Sequence, residues 1–64
     1  MLMRDPNRIP RMLALVEQIW TKYPDFRLGQ LVDNAKEIGS GSSADIFYVE
    51  DVALEEGLER LLEL

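Results

Sequence analysis

The amino-acid sequence predicts an all-α fold, a compact three-helix domain with a short extended segment at about 45–49 between the second and third helices. Three observations predict it. Apolar residues recur at helical spacing in three separate stretches, prolines and a Gly/Ser cluster divide those stretches, and the single strand-like run has no second run to pair with. Residues 1–64 read as one small helical domain, because no linker or internal repeat divides the chain.

Asp5-Pro6-Asn7-Arg8 reads as a turn. The first helix is expected at roughly 10–23, where Ile9, Met12, Leu13, Val16, Ile19, Trp20 and Tyr23 share one face. Pro10 fits its first position, where no backbone donor is needed, and Pro24 ends it by forcing Tyr23 out of helical angles. Asp25 is expected to cap a second helix at roughly 26–37, with Leu28, Leu31, Val32, Ala35 and Ile38 as its stripe. So short a connection brings the two helices together in a sharp corner. Gly29 weakens the second helix by about 1 kcal/mol relative to alanine, which marks either a close backbone approach or simple tolerance.

Gly39-Ser40-Gly41-Ser42-Ser43 reads as a loop. Ile46, Phe47, Tyr48 and Val49 favour an extended chain, expected either to pack across the first two helices or to wait as an edge for another molecule. Asp51 is expected to cap a third helix at roughly 52–63, whose stripe is Leu54, Leu58, Leu61 and Leu62. Glu56 and Arg60 are ordered for an i, i+4 pair. The expected core is Leu13, Val16, Ile19, Trp20, Leu28, Leu31, Val32, Phe47, Leu54, Leu58 and Leu61.

A chain this small buries only about 60% of its unfolded surface, and small domains commonly need a staple. There is neither cysteine for a disulfide nor histidine for the common zinc sites, so no metal or cofactor is expected. No run of about 20 apolar residues and no signal-peptide pattern occurs, which makes a cytoplasmic location without membrane attachment the expectation. Residues 1–30 carry five basic and three acidic side chains, residues 31–64 two basic and nine acidic, so the halves sum to +2 and −7, a balance that favours basic partners or simple solubility. An acidic field disfavours nucleic acid and anionic lipid.

The segment from Ile38 to Phe47 looks like the glycine-rich nucleotide loop of protein kinases, but a helical pattern precedes it, Ala44 replaces the third glycine, and Glu55 follows Val52-Ala53-Leu54 where lysine belongs. It also approximates the dinucleotide fingerprint, without the strand–helix–strand unit that gives that motif meaning. Asp45, Glu50 and Asp51 lack calcium-loop spacing, and the loop serines have no histidine to activate them. No catalytic residues are therefore assigned, and an enzyme is not expected.

Arg4-Asp5-Pro6, Arg8-Ile9, Ile19-Trp20, Pro24-Asp25, Arg27-Leu28-Gly29-Gln30-Leu31 and Phe47-Tyr48-Val49-Glu50-Asp51 together resemble a family of short, uncharacterised prokaryotic and phage proteins. The resemblance spans nearly the whole chain, departing at Pro10 and in the longer Gly/Ser loop. It implies a compact domain and supplies no activity.

Arg8, Arg27 and Gln30 are long donors in the first half, and Asp45, Glu50 and Asp51 are acceptors in the second. Charge-assisted pairing between the sets would clamp the 45–49 segment across the helices; alternatively they form a polar rim around a partner site containing Tyr48. The functional expectation is a non-enzymatic protein-interaction or accessory module. The alternatives are a phage-type acidic inhibitor, presenting Glu55, Glu56, Glu59 and Glu63 as nucleic-acid charge, and a helix-turn-helix-like nucleic-acid binder, which would need a more basic recognition helix than residues 26–37 provide. The expected partner is another protein or a second copy, the homodimer resting on Leu15 and on Met1, Leu2 and Met3.

Overall fold

A computed structural model describes residues 4–64; Met1, Leu2 and Met3, offered above for a dimer contact, lie outside the described residues. Three helices, α1 (Arg8–Lys22), α2 (Leu28–Ser40) and α3 (Asp51–Glu63), pack together in an all-α domain, and no strand occurs among the described residues.

The turn at the start runs directly into α1. Asp5 Oδ1 accepts the Asn7 N–H at 2.9 Å, and the Arg8 and Ile9 amides donate to the carbonyls of Asp5 and Pro6. The helix thus begins two residues before Pro10. Proline is still accommodated, because none of the first four helical amides has an intrahelical acceptor. At the other end Tyr23, with φ −127° and ψ 72°, has left the helix before Pro24, as the restriction on pre-proline residues requires.

Asp25 does not cap α2. The chain first makes a turn, with the Phe26 amide donating to the Tyr23 carbonyl, and the helix starts at Leu28. Its entry is fixed instead by Gln30, whose Oε1 accepts the Arg27 N–H at 2.9 Å, the backward-reaching half of a capping box. Asp51 is likewise the first residue of α3 rather than its cap, with Glu50 preceding it in an extended conformation.

The α2–α3 crossing is the tightest contact. A Cβ on Gly39 would collide with the Ala53 carbonyl, and one on Gly57 with the Ala35 carbonyl. The order of these contacts makes α2 and α3 antiparallel, with an Ala-x-x-x-Gly pattern on each. Gly29, by contrast, has open space at its Cβ position, so its reading as a close approach gives way to tolerance. Helices α1 and α3 run parallel, since Arg8 and Arg11 meet Asp51 and Glu55 while Lys22 reaches Leu62.

Ile19, Leu31, Ala35, Leu58 and Leu61 form the buried core, flanked by Val16, Val32, Leu54, Leu15 and other partly covered residues. Four expected core members are exposed. Leu13 and Trp20 lie on the far flank of an apolar band wider than α2 and α3 can cover, the contact side being centred on Ile19. Leu28 stands at the open first turn of α2, and Phe47 projects from a 3-10 turn. Leu15, proposed for a dimer surface, packs against the core. The shortest dimension, 18 Å, is less than two helix diameters of about 10–12 Å each, so each helix keeps a side toward solvent.

Candidate functional site

Residues 45–49 do not lie extended across the helices. Asp45 and Val49 are extended, but Ile46–Tyr48 between them curls into one 3-10 turn. Two bonds favour the turn over the strand: Asp45 Oδ1 accepts the Phe47 N–H at 3.0 Å, and the Asp45 carbonyl accepts the Tyr48 N–H at 2.9 Å. An acidic residue at this position satisfies a backbone donor that an isolated strand would leave unpaired.

The turn holds its aromatic side chains outward. Phe47 is 82% and Tyr48 76% exposed, yet the rings meet edge-to-face with centroids 5.0 Å apart. Such a geometry suits the negative face and positive edge of aromatic rings. Ile46 and Val52 are exposed nearby in sequence, and a shallow cleft beside the turn is lined by Ser40, Ala44, Asp45, Tyr48, Val49 and Ala53 among others.

The expected clamp forms only in part and elsewhere than expected. Arg8 Nε donates to Asp51 Oδ2 at 2.6 Å, and Arg8 Nη1 to the Asp5 carbonyl at 2.9 Å. Arg11 donates through Nε and Nη2 to the two Glu55 carboxylate oxygens, a bidentate pair, and Arg4 lies 3.7 Å from Glu50. This ladder ties the start of α1 to the start of α3. Hydrogen bonding from Arg11 raises that guanidinium above its ordinary value and holds the Glu55 carboxyl below its own, against the partial desolvation of Glu55. Arg27 and Gln30 do not join the acids: their bond is local to α2, as Asp45 is local to its own turn. The seven candidate residues therefore fall into three places, with Tyr48 and Asp45 at the aromatic turn, Arg8, Asp51 and Glu50 in the ladder, and Arg27 and Gln30 at α2.

Two features escaped the sequence reading. The first is an open groove of about 480 Å³ on the outer side of α1, lined by Leu13, Val16, Glu17, Trp20, Thr21 and Pro24. Its signal was present, for Ile9, Leu13, Val16 and Trp20 form one line on α1 while Met12, Leu15, Ile19 and Tyr23 form another. The second is Lys36, buried in α2 with Nζ 3.4 Å from both the Ser42 carbonyl and Asp33 Oδ1. No family model, curated protein or solved structure matches this chain.

Proposed function

We propose that the chain is a non-enzymatic protein-interaction module that presents the Phe47–Tyr48 pair to a protein partner. The observation that carries this reading is the outward display of two large aromatic rings on a turn fixed by its own hydrogen bonds. Aromatic residues supply much of the binding energy at protein interfaces, and anchors already held in place lose little freedom on binding. Asp45 precedes the pair and Glu50, 3.7 Å from Arg4 and so partly neutralised, follows it, which suits a pocket with a weakly basic margin. Among the described residues no helix is long and apolar enough to cross a membrane, which accords with a proposed cytoplasmic setting.

The acidic-inhibitor reading has less support. Glu55 is engaged by Arg11 and Glu56 by Arg60, so the row on α3 is partly neutralised. The test is capture from the native cell, comparing the unaltered chain with a Phe47→Ala/Tyr48→Ala variant of unchanged helical circular dichroism. Proteins retained by the first and lost by the second support the reading. Equal retention by both would remove it.

A further inference from the structure

The shallow cleft beside the aromatic turn, about 360 Å³ in volume, carries charge of one sign. Asp45, Tyr48 and Glu50 line it together with Ser40, Val49 and Ala53, and among the described residues no basic side chain does. Neither carboxylate is saturated. Asp45 accepts the Phe47 N–H through Oδ1, and its Oδ2 has no donor among the described residues. Glu50 has only Arg4, whose Nη2 stands 3.7 Å from Oε2, beyond hydrogen-bond reach, and both side chains are largely exposed. Lys36, one helical turn before Ser40, directs its ammonium to Asp33 and to the Ser42 carbonyl. The Tyr48 ring is thus left open beside two carboxylates that lack a close cation.

That combination selects a cation, and among cations a guanidinium. An aromatic face attracts positive charge, and carboxylates accept the N–H groups that a cation brings. A lysine ammonium is compact and strongly hydrated, so it gains little from a ring that stays wet. A guanidinium is flat and weakly hydrated, and it stacks on the ring while its N–H donors reach acceptors at the margin of the cleft. The chain's own Arg4 already approaches Glu50 without lining the cleft, so it competes for one carboxylate and leaves the ring uncovered. The cleft belongs wholly to residues 31–64, whose net charge of −7 supplies a field that draws in a basic segment.

We propose that the cleft receives an arginine side chain of the protein partner, stacked on Tyr48 and hydrogen-bonded to Asp45 and Glu50, an assignment that rests on the reading of the Phe47–Tyr48 turn as a docking element and names the group it takes up. Arg4 is then the internal competitor, displaced from Glu50 when the partner binds.

Backbone amide shifts of the full chain, followed by NMR during titration with the blocked peptide acetyl-Gly-Arg-Gly-amide, test the proposal, with helical circular dichroism recorded for every variant. The same peptide carrying lysine, or citrulline as the uncharged isostere, serves as the comparison. Shifts should be confined to residues 45–50 with Ser40 and Ala53, and should saturate at roughly millimolar peptide, as a single side chain allows. Lysine should bind more weakly and citrulline not at all. Asp45→Asn keeps the oxygen that accepts the Phe47 N–H and removes the charge; it, Glu50→Gln and Tyr48→Leu should each weaken binding about two- to fivefold. Arg4→Ala should tighten binding, a gain that a damaged fold does not imitate. Shifts spread along the acidic face of α3, a lysine or citrulline peptide bound as well as the arginine one, or an Arg4→Ala chain that binds no better would overturn the proposal. Proteins captured through Phe47 and Tyr48 from the native cell, with no arginine bound in the cleft, would keep the docking reading and remove this assignment alone.

Discussion

Gly39 and Gly57 lie face to face where α2 crosses α3, each with its Cβ position occupied by backbone of the opposite helix. A Cβ on Gly57 would stand 2.8 Å from the Ala35 carbonyl carbon and 3.1 Å from the Gly39 nitrogen, while one on Gly39 would stand 3.0 Å from the Ala53 carbonyl carbon. The Cα hydrogens present instead point toward those carbonyl oxygens, a close approach of the kind seen in Cα–H···O contacts.

Gly57→Ala should therefore destabilise the domain by about 1–3 kcal/mol through forced separation of the helices. This reverses the gain of about 1 kcal/mol that alanine brings to an unobstructed helix. Gly29→Ala, with free space around it, should stabilise by up to about 1 kcal/mol. Urea denaturation of the two variants decides the matter, and a Gly57→Ala protein as stable as the unaltered chain would contradict the crossing.

The Arg8–Asp51 pair is only partly exposed, and its 2.6 Å contact joins residues 43 positions apart. A double-mutant cycle with Arg8→Ala and Asp51→Ala should show a coupling of about 0.5–1 kcal/mol that shrinks at high salt. The Glu56–Arg60 pair within α3 should couple by only about 0.2–0.5 kcal/mol. Equal coupling at the two sites would mean that the long-range pair does not fasten α1 to α3.

The Glu55 carboxyl is held below its ordinary value of 4.5 by the Arg11 hydrogen bond, so its stabilising effect is present above that pH and is lost as pH falls through the lower folded-state value. Acid titration of stability should fall less steeply below about pH 4.5 in Glu55→Gln than in the unaltered chain. The raised Arg11 value acts in the opposite sense: its contribution is present through the acid and neutral range and is lost only in strong alkali. Superimposable acid limbs would show that the pair does not govern this window.

Lys36 places an ammonium in a largely covered site whose two oxygen contacts are both long, at 3.4 Å. Lys36→Met keeps most of the aliphatic packing and removes the desolvated charge, so it should leave stability within about 0.5 kcal/mol of the original or raise it. Lys36→Ala should cost more than Lys36→Met, because it also removes the stem. Thermal denaturation of the pair separates the packing role from the charge, and an equally large loss in Lys36→Met and Lys36→Ala would assign the stability to the ammonium.

Helical periodicity, the proline restrictions and the Gly/Ser break were local signals, and by themselves they determined three helices in their order, the stop of α1 before Pro24 and the burial of Ile19, Leu31, Leu58 and Leu61. They also indicated Arg8 and Asp51 as partners of opposite charge, though not Arg11 and Glu55. Only the tertiary structure decided which of the two apolar lines on α1 the core would take, because periodicity gives the width of an apolar band and not how much of it the neighbouring helices are wide enough to cover. It likewise decided that Gly39 and Gly57 rather than Gly29 permit close approach, since that depends on where two helices cross. Side-chain type at 46–49 favoured an extended chain, but with no strand beside it the backbone found its acceptors within the turn, and Phe47 and Tyr48 were left facing solvent.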